Sequence, residues 1–402
     1  MKILLEDTIP FGQRYLDDIG EVRTYAWQNI TPNDLIDIDI LALRSTTKVT
    51  SELLTNANKL QFVTTATAGT NHLDKGYLDS SAIAHSSAAG CNAVAVAEYV
   101  LSVLLHAHKT KKLDLYHSTV GIVGAGNVGT ALTRLLDALS VNYMLCDPLK
   151  KEAGDKRSFV EMNDIAQCDI ITLHVPFVSK GPYPTENLIG EGFLDKLGAH
   201  QLLINACRGE VINEAALLAR FNKPSPPVLV LDVFDNEPNI NTALFEHCWF
   251  VTPHIAGHSV EGKVRGTQMI YEQICERAGQ PATKKLSDFL DSVPPLAVAL
   301  QNPTATRLSV EDLINVFHRV YNVAVDDNEM RTAIADNDGV HSGDAGLNVG
   351  AHFASLRKNY RVKGQERREC SAHTLLLPAN TSKEIQKTFK DLGFSAQLIQ
   401  AG

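Results

Sequence analysis

One segment limits the architecture more than any other. "STVGIVGAGNVGTALTRLLDAL", Ser118 to Leu139, joins an apolar run to a glycine-rich turn and then to a run of helical period. Gly124, Gly126 and Gly129, with Asn127 and Val128 between them, have G-x-G-x-x-G spacing. Alone that spacing is a weak signal. Between a strand and a helix each glycine has a physical reason: one for a tight turn, one for close approach of backbone to a phosphate, one for close packing of helix on strand. Five more apolar runs follow: "NYMLCDP", "CDIITLHVP", "AHQLLINACRG", "PPVLVLDVF" and "CWFVTPHI". Six runs within about 140 residues match the rhythm of a doubly wound α/β domain on a parallel sheet.

The chain of 402 residues is too long for that domain alone. "MKILLED", "DIDILALRS" and "LQFVTTATAG" predict buried parallel strands in a first α/β lobe. "NAVAVAEYVLSVLLHAHK", interrupted by Glu98, predicts a buried helix and is too short to span a bilayer. Near Asp291 the texture changes. "DSVPPLAVALQNPT" suggests a linker or extended arm. After it, "SVEDLINVFHRVY" opens with the capping pair Ser309 and Asp312, and "HTLLLP", "TSKEIQKTFKDLG" and "SAQLIQ" read as strand, helix and strand, the helix capped by Thr381 and Glu384. The expected class is α/β, with two doubly wound Rossmann-like lobes and a C-terminal α+β segment.

A formal charge of −9 argues against nucleic acid or an anionic membrane as the main partner. Seven scattered cysteines without a C-x-x-C pair indicate neither a disulfide framework nor a metal site. "MKILLEDTIPFG" meets Glu6 and Asp7 too early for a signal-peptide core, so a reducing cytoplasmic setting is expected.

Asp147 ends the strand after the glycine turn, where a carboxylate accepts both ribose hydroxyls and repels a 2′-phosphate; NAD is favoured over NADP. Arg208, in "NACRGEVIN", follows a strand and offers a planar fork suited to a carboxylate. "LDVFDNEP" places Asp232 at a strand end and Glu237 in the loop beyond; Asp232 is equally readable as an interior acid satisfied by backbone donors. His254, in "VTPHIAGHS", follows Glu237 by seventeen residues, so a returning loop would set carboxylate against imidazole. Arg44, Ser45, Thr47 and Lys48 form a polar turn after a strand, suited to a phosphate. Arg357, Lys358 and Arg361, in "LRKNYR", read as a solvated basic face, with contact to a substrate phosphate as the alternative.

Together, "TATAGTNHLD", the helix around Glu98, "NACRGEVIN", "LDVFDNEP" and "TPHIAG" resemble the D-2-hydroxyacid dehydrogenases. The resemblance implies that residues 1–92 and 258–287 form the substrate domain, 93–257 the NAD-binding domain, and 288–402 a dimerisation domain. It implies hydride transfer from C2 of a small phosphorylated hydroxy acid to NAD. His254 would be the acid/base, Glu237 its orienting partner and Arg208 the carboxylate clamp, with Ser45, Thr67 and His258 on the substrate. His258 stands where a tyrosine is expected. Val175, Cys207, Gly209, Asp232 and Gly257 would line the cofactor. Two alternatives stay open: a dehydrogenase for another D-2-hydroxy acid, such as 3-phosphoglycerate, or an NAD-sensing binding protein that keeps the same residues.

Overall fold

The fold is that of a computed structural model, which describes residues 1–338, 345–361 and 366–399. The chain forms two compact units, Met1–Ala93 with Ser259–Ser292, and Val94–His258 with Val293 onward.

The first unit holds a five-stranded parallel sheet of β1 (Lys2–Glu6), β2 (Glu21–Tyr25), β3 (Ile40–Leu43), β4 (Phe62–Thr65) and β5 (Ala84–Ser87), in the order β2-β1-β3-β4-β5. The inner strands β1, β3 and β4 are the three apolar runs, buried because helices cover parallel sheets on both faces. The edge strands β2 ("EVRTY") and β5 ("AHSS") are polar and lay outside the expectation. The helix Val260–Ala278 closes one face, packing Val264, Ile270 and Ile274 with Ile3, Leu5 and Phe62. A Cβ at its Gly266 would lie 2.5 Å from the Ala66 carbonyl, so only glycine lets the helix descend onto the end of β4.

In the second unit, β6 (Thr119–Val123), β7 (Asn142–Cys146), β8 (Ile170–Leu173), β9 (Leu202–Asn205), β10 (Val228–Leu231) and β11 (Cys248–Val251) pair in parallel in the order β11-β10-β9-β8-β6-β7. All six match the sequence expectation. Phe159 adds a one-residue parallel bridge to Leu145 of β7. Cys146, Val123, Leu173, Asn205, Leu231 and Val251 lie in one line across the sheet at its carboxyl edge. One residue past that line stand Asp147, Gly124, His174, Ala206, Asp232 and Thr252. The order reverses between β6 and β8, which opens the crevice where such sheets bind ligands.

Residues from Val293 onward add a parallel sheet of β12 (Leu296–Ala297), β13 (Thr374–Pro378) and β14 (Ser395–Ile399), and the helices Val310–Phe317, Val323–Asp338, Ala345–Lys358 and Lys383–Asp391. β12 lies inside the stretch expected as a linker. Leu313, Phe317 and Phe389 share a core with Leu101, Leu104, Leu132 and Leu136. Ser309 Oγ accepts the Asp312 N–H as expected, but the Asp312 carboxylate accepts from Gln301 and leaves the box half closed. The last helix is capped by Ser382, whose Oγ accepts from Ile385, and not by Thr381, whose hydroxyl is spent on the Pro378 carbonyl.

Candidate active site

The glycine turn follows β6 directly. Gly124 has φ +95°, and a Cβ there would lie 2.5 Å from the His174 carbonyl and 3.0 Å from Val175. Gly129, in the first turn of the helix Asn127–Leu139, would carry a Cβ 2.2 Å from the Gly124 carbonyl. A Cβ at Gly126 would meet nothing within 4 Å. The turn is therefore shut on its protein side and open at the helix N-terminus, where Gly126 offers no side chain to cap the free N–H groups. That is the shape a pyrophosphate needs. Exposed Asn127 and half-buried Val128 begin the helix. Asp147 Oδ2 accepts from the Ala125 N–H at 2.9 Å and Oδ1 from Lys150 at 3.0 Å, so the carboxylate braces the turn while staying half exposed beside it.

After β9, Asn205 clamps a sharp turn. Its Oδ1 accepts from the Cys207 N–H at 3.2 Å, and its Nδ2 donates to the Arg208 carbonyl at 2.9 Å. Cys207 is buried and the Val175 backbone reaches it, which joins this turn to the end of β8. Arg208 is half-buried, its Nη1 donating to the Cys207 carbonyl at 2.6 Å. Any Cβ on Gly209 would lie 1.9 Å from the Phe234 carbonyl carbon. The loops after β9 and β10 thus touch backbone to backbone, which places Arg208 beside the loop that carries Glu237.

Asp232, 1% exposed, lies under the loop after β11. Its Oδ1 accepts from Thr252 Oγ1 at 2.6 Å and from Ile255 N at 2.8 Å; Oδ2 accepts from Ala256 N at 3.0 Å. Burial raises its carboxyl, against the pull of His254, Thr252 and these N–H groups. The interior-acid reading describes its contacts: both oxygens serve the loop. His254, next on that loop, has φ +55° and donates its N–H to the Asp232 carbonyl at 2.7 Å. Its Nδ1 is 2.7 Å from Glu237 Oε2, and Glu237 Oε1 accepts from Phe234 N at 3.1 Å. Burial alone would raise the Glu237 carboxyl. The bond to His254, that ring's charge, the Phe234 N–H and Arg357 outweigh it and hold the carboxyl below its ordinary value. The His254 side chain remains 24% exposed, and among the described residues its Nε2 takes no hydrogen bond. The carboxylate on Nδ1 favours one tautomer of the ring and leaves the other nitrogen open, as a base requires.

Gly257 is half-buried in the turn that follows. The His258 ring stands edge-on to Tyr360 at 5.8 Å.

In the first unit, Leu43 pairs with Thr65, and Ser45 and Thr67 each follow two residues past that paired end of the sheet. Ser45 is exposed and Thr67 half-buried. The 44–47 turn is tied down by Glu6, whose buried carboxylate accepts from Arg44 N and from the hydroxyls of Thr8, Thr46 and Thr47. Thr47, expected on a phosphate, is instead buried in this cluster with its hydroxyl bonded to Glu6. Thr67 Oγ1 is 2.9 Å from Thr65 Oγ1, which His72 Nε2 meets at 3.0 Å. Burial lowers His72 to about 4, opposed by Glu6, so its ring is a neutral strut.

A model of the D-isomer specific 2-hydroxyacid dehydrogenase NAD-binding domain matches residues 95–256. An erythronate-4-phosphate dehydrogenase of Pseudoalteromonas atlantica is 44% identical over 90% of this chain and 93% of its own. The chain belongs to the erythronate-4-phosphate dehydrogenase family. A second member of that family, from Marinobacter nauticus, is 41% identical over 99% of this chain and the whole of its own. Two solved structures share the fold. D-lactate dehydrogenase from Aquifex aeolicus, complexed with NAD and lactic acid, has a TM-score of 0.54 at 21% identity, over 69% of this chain and 96% of its own. NAD-bound 3-phosphoglycerate dehydrogenase of Entamoeba histolytica has a TM-score of 0.57 at 22% identity, over 69% and 94%.

Four supporting residues of this family member were missed from sequence. Asn205 carried a usable signal, since an asparagine at a strand end before a turn bonds its own backbone two residues on. Glu6 read only as a charge ending an apolar run. Arg357 and Arg367 were hidden by distance in the chain. Arg357, expected on a solvated face, lies 3.8 Å from Glu237, and Arg361 is paired inward with Asp326 at 3.0 Å. Arg367 is buried, donating to the carbonyls of Ala256 and Ala95.

Proposed function

We propose that this protein oxidises 4-phospho-D-erythronate to 3-hydroxy-2-oxo-4-phosphooxybutanoate with NAD, a step toward pyridoxal 5′-phosphate. The observation that carries the reading is the 2.7 Å Glu237–His254 pair at the carboxyl edge of a Rossmann sheet, one loop from Arg208. Relatives bearing that enzyme's name at 38–44% identity support the substrate.

Bound NAD supplies the acceptor for the hydride that leaves C2. The chain does the rest. The open turn at Gly124, Gly126 and Gly129, with Asn127 and Val128, holds the pyrophosphate, and Asp147 holds the ribose. Val175 borders the adenosine, and Cys207, Gly209, Asp232 and Gly257 border the nicotinamide end. His254 Nε2 takes the hydroxyl proton as the C2–O bond becomes a carbonyl, and returns it in reduction. Glu237 keeps the Nδ1 proton in place and stabilises the imidazolium. Arg208 grips the carboxylate with two parallel N–H groups and polarises the C2 oxygen. Ser45, Thr67 and His258 complete the substrate's contacts, with Arg44 and Ser45 toward the phosphate.

We assign residues 1–92 and 258–287 to a substrate domain, 93–257 to an NAD domain and 288–402 to a homodimer contact. Leu398 and Ile399, 49% and 42% exposed on the edge strand β14, support the last. Seven free, buried cysteines suit the cytoplasm, and no helix of the described residues is long and apolar enough to cross a membrane. The test is NADH absorbance with NAD and 4-phospho-D-erythronate, beside D-3-phosphoglycerate and unphosphorylated D-erythronate. Preference for the first is expected. Equal turnover of another acid overturns the substrate, and no turnover of any acid overturns the enzyme.

A further inference from the structure

The helix Ala345–Lys358 faces the loop that carries Glu237, and it does so with one stripe of residues. Gly350, Phe353 and Arg357 stand at i, i+3 and i+7, on one helical face. A Cβ on Gly350 would lie 2.6 Å from Asn239 Oδ1 and 3.3 Å from the Pro238 carbonyl, so glycine brings the helix onto the loop's far end. Phe353 meets Phe234 edge to face, centroids 5.9 Å apart at 87°, which fixes the near end. Between these two anchors the helix register is set, and it delivers Arg357 Nη1 to 3.8 Å from Glu237 Oε2. That is the same oxygen that meets His254 Nδ1.

We propose that Arg357 is a positioning residue for the Glu237–His254 pair, sharing the carboxylate oxygen that receives the imidazole and so holding both the direction and the strength of that contact. The proposal rests on the reading of this pair as the acid/base of a hydroxy-acid oxidation. The physical reason is competition. A carboxylate bound only to the ring would give it all of its negative charge and favour the imidazolium. A guanidinium on the same oxygen takes part of that charge and leaves the ring readier to stand neutral, the form that accepts the substrate's proton. Other titratable groups on the surrounding elements include Asp232 beneath the ring, Asp235 and Glu214 beside the loop, Arg208 after β9, and His352 and exposed Lys358 on the helix itself. Asp232 is committed to its three donors, and Glu214 accepts from the Asp235 N–H. Among the described residues, Arg357 is the Lys or Arg side chain within ion-pair distance of Glu237, and the appended C-terminal segment supplies it.

The side chain is 39% exposed, so its charge is partly screened and the effect is moderate. R357Q removes the charge, R357K retains it without the fork, and K358Q removes an equal charge one residue on, at an exposed position. Two readouts are taken: the pH profile of kcat/KM with NAD and 4-phospho-D-erythronate, and the ring titration of His254 by 15N-histidine NMR, assigned from its loss in H254N. In R357Q the acid limb and the ring titration both move to higher pH, by about half a unit. kcat falls about threefold and KM changes little, as expected of a residue that acts through Glu237. R357K recovers most of both, and K358Q matches the parent. An unshifted limb and ring titration in R357Q overturn the proposal, as does an equal shift in K358Q, which would make the effect one of bulk charge. If R357Q melts below the assay temperature, R357K decides: parent-like pH behaviour supports the proposal, and a limb unrelated to the ring titration overturns it. A ring that shifts as described in a protein that turns over no hydroxy acid leaves the contact standing and sinks the reading of the reaction.

Discussion

His254 is held in a backbone conformation that costs a non-glycine residue about 1 kcal/mol. Its φ of +55° persists because the residues around it are tied to Asp232: His254 N–H to the Asp232 carbonyl, and Thr252, Ile255 and Ala256 to the carboxylate. A buried acid with three donors, not the histidine itself, shapes the loop. A replacement that tolerates left-handed backbone therefore separates chemistry from folding better than alanine does. Asparagine does so, being among the residues enriched there. H254N is expected to lose about 10²- to 10⁴-fold in kcat/KM while keeping NAD affinity, read by fluorescence quenching, and its melting temperature. Loss of NAD binding instead would mean that the ring is a structural part of the cofactor crevice.

At the scale of elements, the edge of the larger sheet shows how the appended segment serves the fold. β11 is an edge strand whose outer N–H and C=O groups need partners. The helix Val323–Asp338 provides them from side chains: Asp327 Oδ1 accepts from Val251 N at 2.8 Å, and Arg331 donates to the carbonyls of Cys248 and Phe245 at 2.8 and 3.0 Å. Asp327 and Arg331 also bond each other at 2.9 Å. Removing either leaves buried strand groups bare, so D327A and R331A are each expected to cost about 1–3 kcal/mol in denaturant unfolding. The double variant should lose less than their sum, since one pair is counted in both; additive losses would show that the edge is sealed some other way. The same edges explain what the sequence hid. Apolar runs betrayed β1, β3, β4 and the six strands of the larger sheet, all but β7 buried along most of their length and β7 buried at its end, Leu145 and Cys146. β2 and β5 are edges, and "EVRTY" and "AHSS" have no apolar run to read. "VAVDDNEMRTAIADND" looks too acidic for a buried helix, because Asp327, which seals β11, and Asp326, which pairs with Arg361, mask its stripe of Val323, Met330 and Ile334. The site followed the same rule. Gly124, Asp147, Arg208, Glu237 and His254 lie next to strands that could be seen, so they could be found. Arg357 sits on an unseen helix, and its partner is 120 residues away in the chain.

For the whole molecule, one buried acid links the Rossmann helix Ala93–Lys109 to the appended segment. Glu98 is 1% exposed; its Oε1 accepts from Cys370 N at 2.8 Å, and its Oε2 is buried with no hydrogen bond. Burial, then the charge of Glu369, pushes its carboxyl up to about 8, against the pull of Arg367 and the Cys370 N–H. An acid that keeps its proton longer when folded than when unfolded makes stability fall as pH rises from its ordinary value, near 4.5, toward the folded one. Other groups act in a different window. Burial lowers His72 to about 4 and His174 to about 3, so these rings make the fold gain stability as pH climbs toward 6.5 and contribute nothing further above it. Between about pH 6.5 and 8, where those rings add nothing, Glu98 contributes a continuing fall. E98Q mimics the protonated acid at every pH and keeps an oxygen for Cys370. Its unfolding free energy should match the parent's near pH 5 and exceed it by about 1–3 kcal/mol at pH 8, measured by denaturant titration at both. Parallel curves for the two proteins would mean that Glu98 is ionised and compensated in the folded state, with Arg367 as the counter-charge. The divergent curves expected here mean that the joint between the NAD-binding fold and its C-terminal segment is held by a neutral acid, and that it loosens as the solution becomes alkaline.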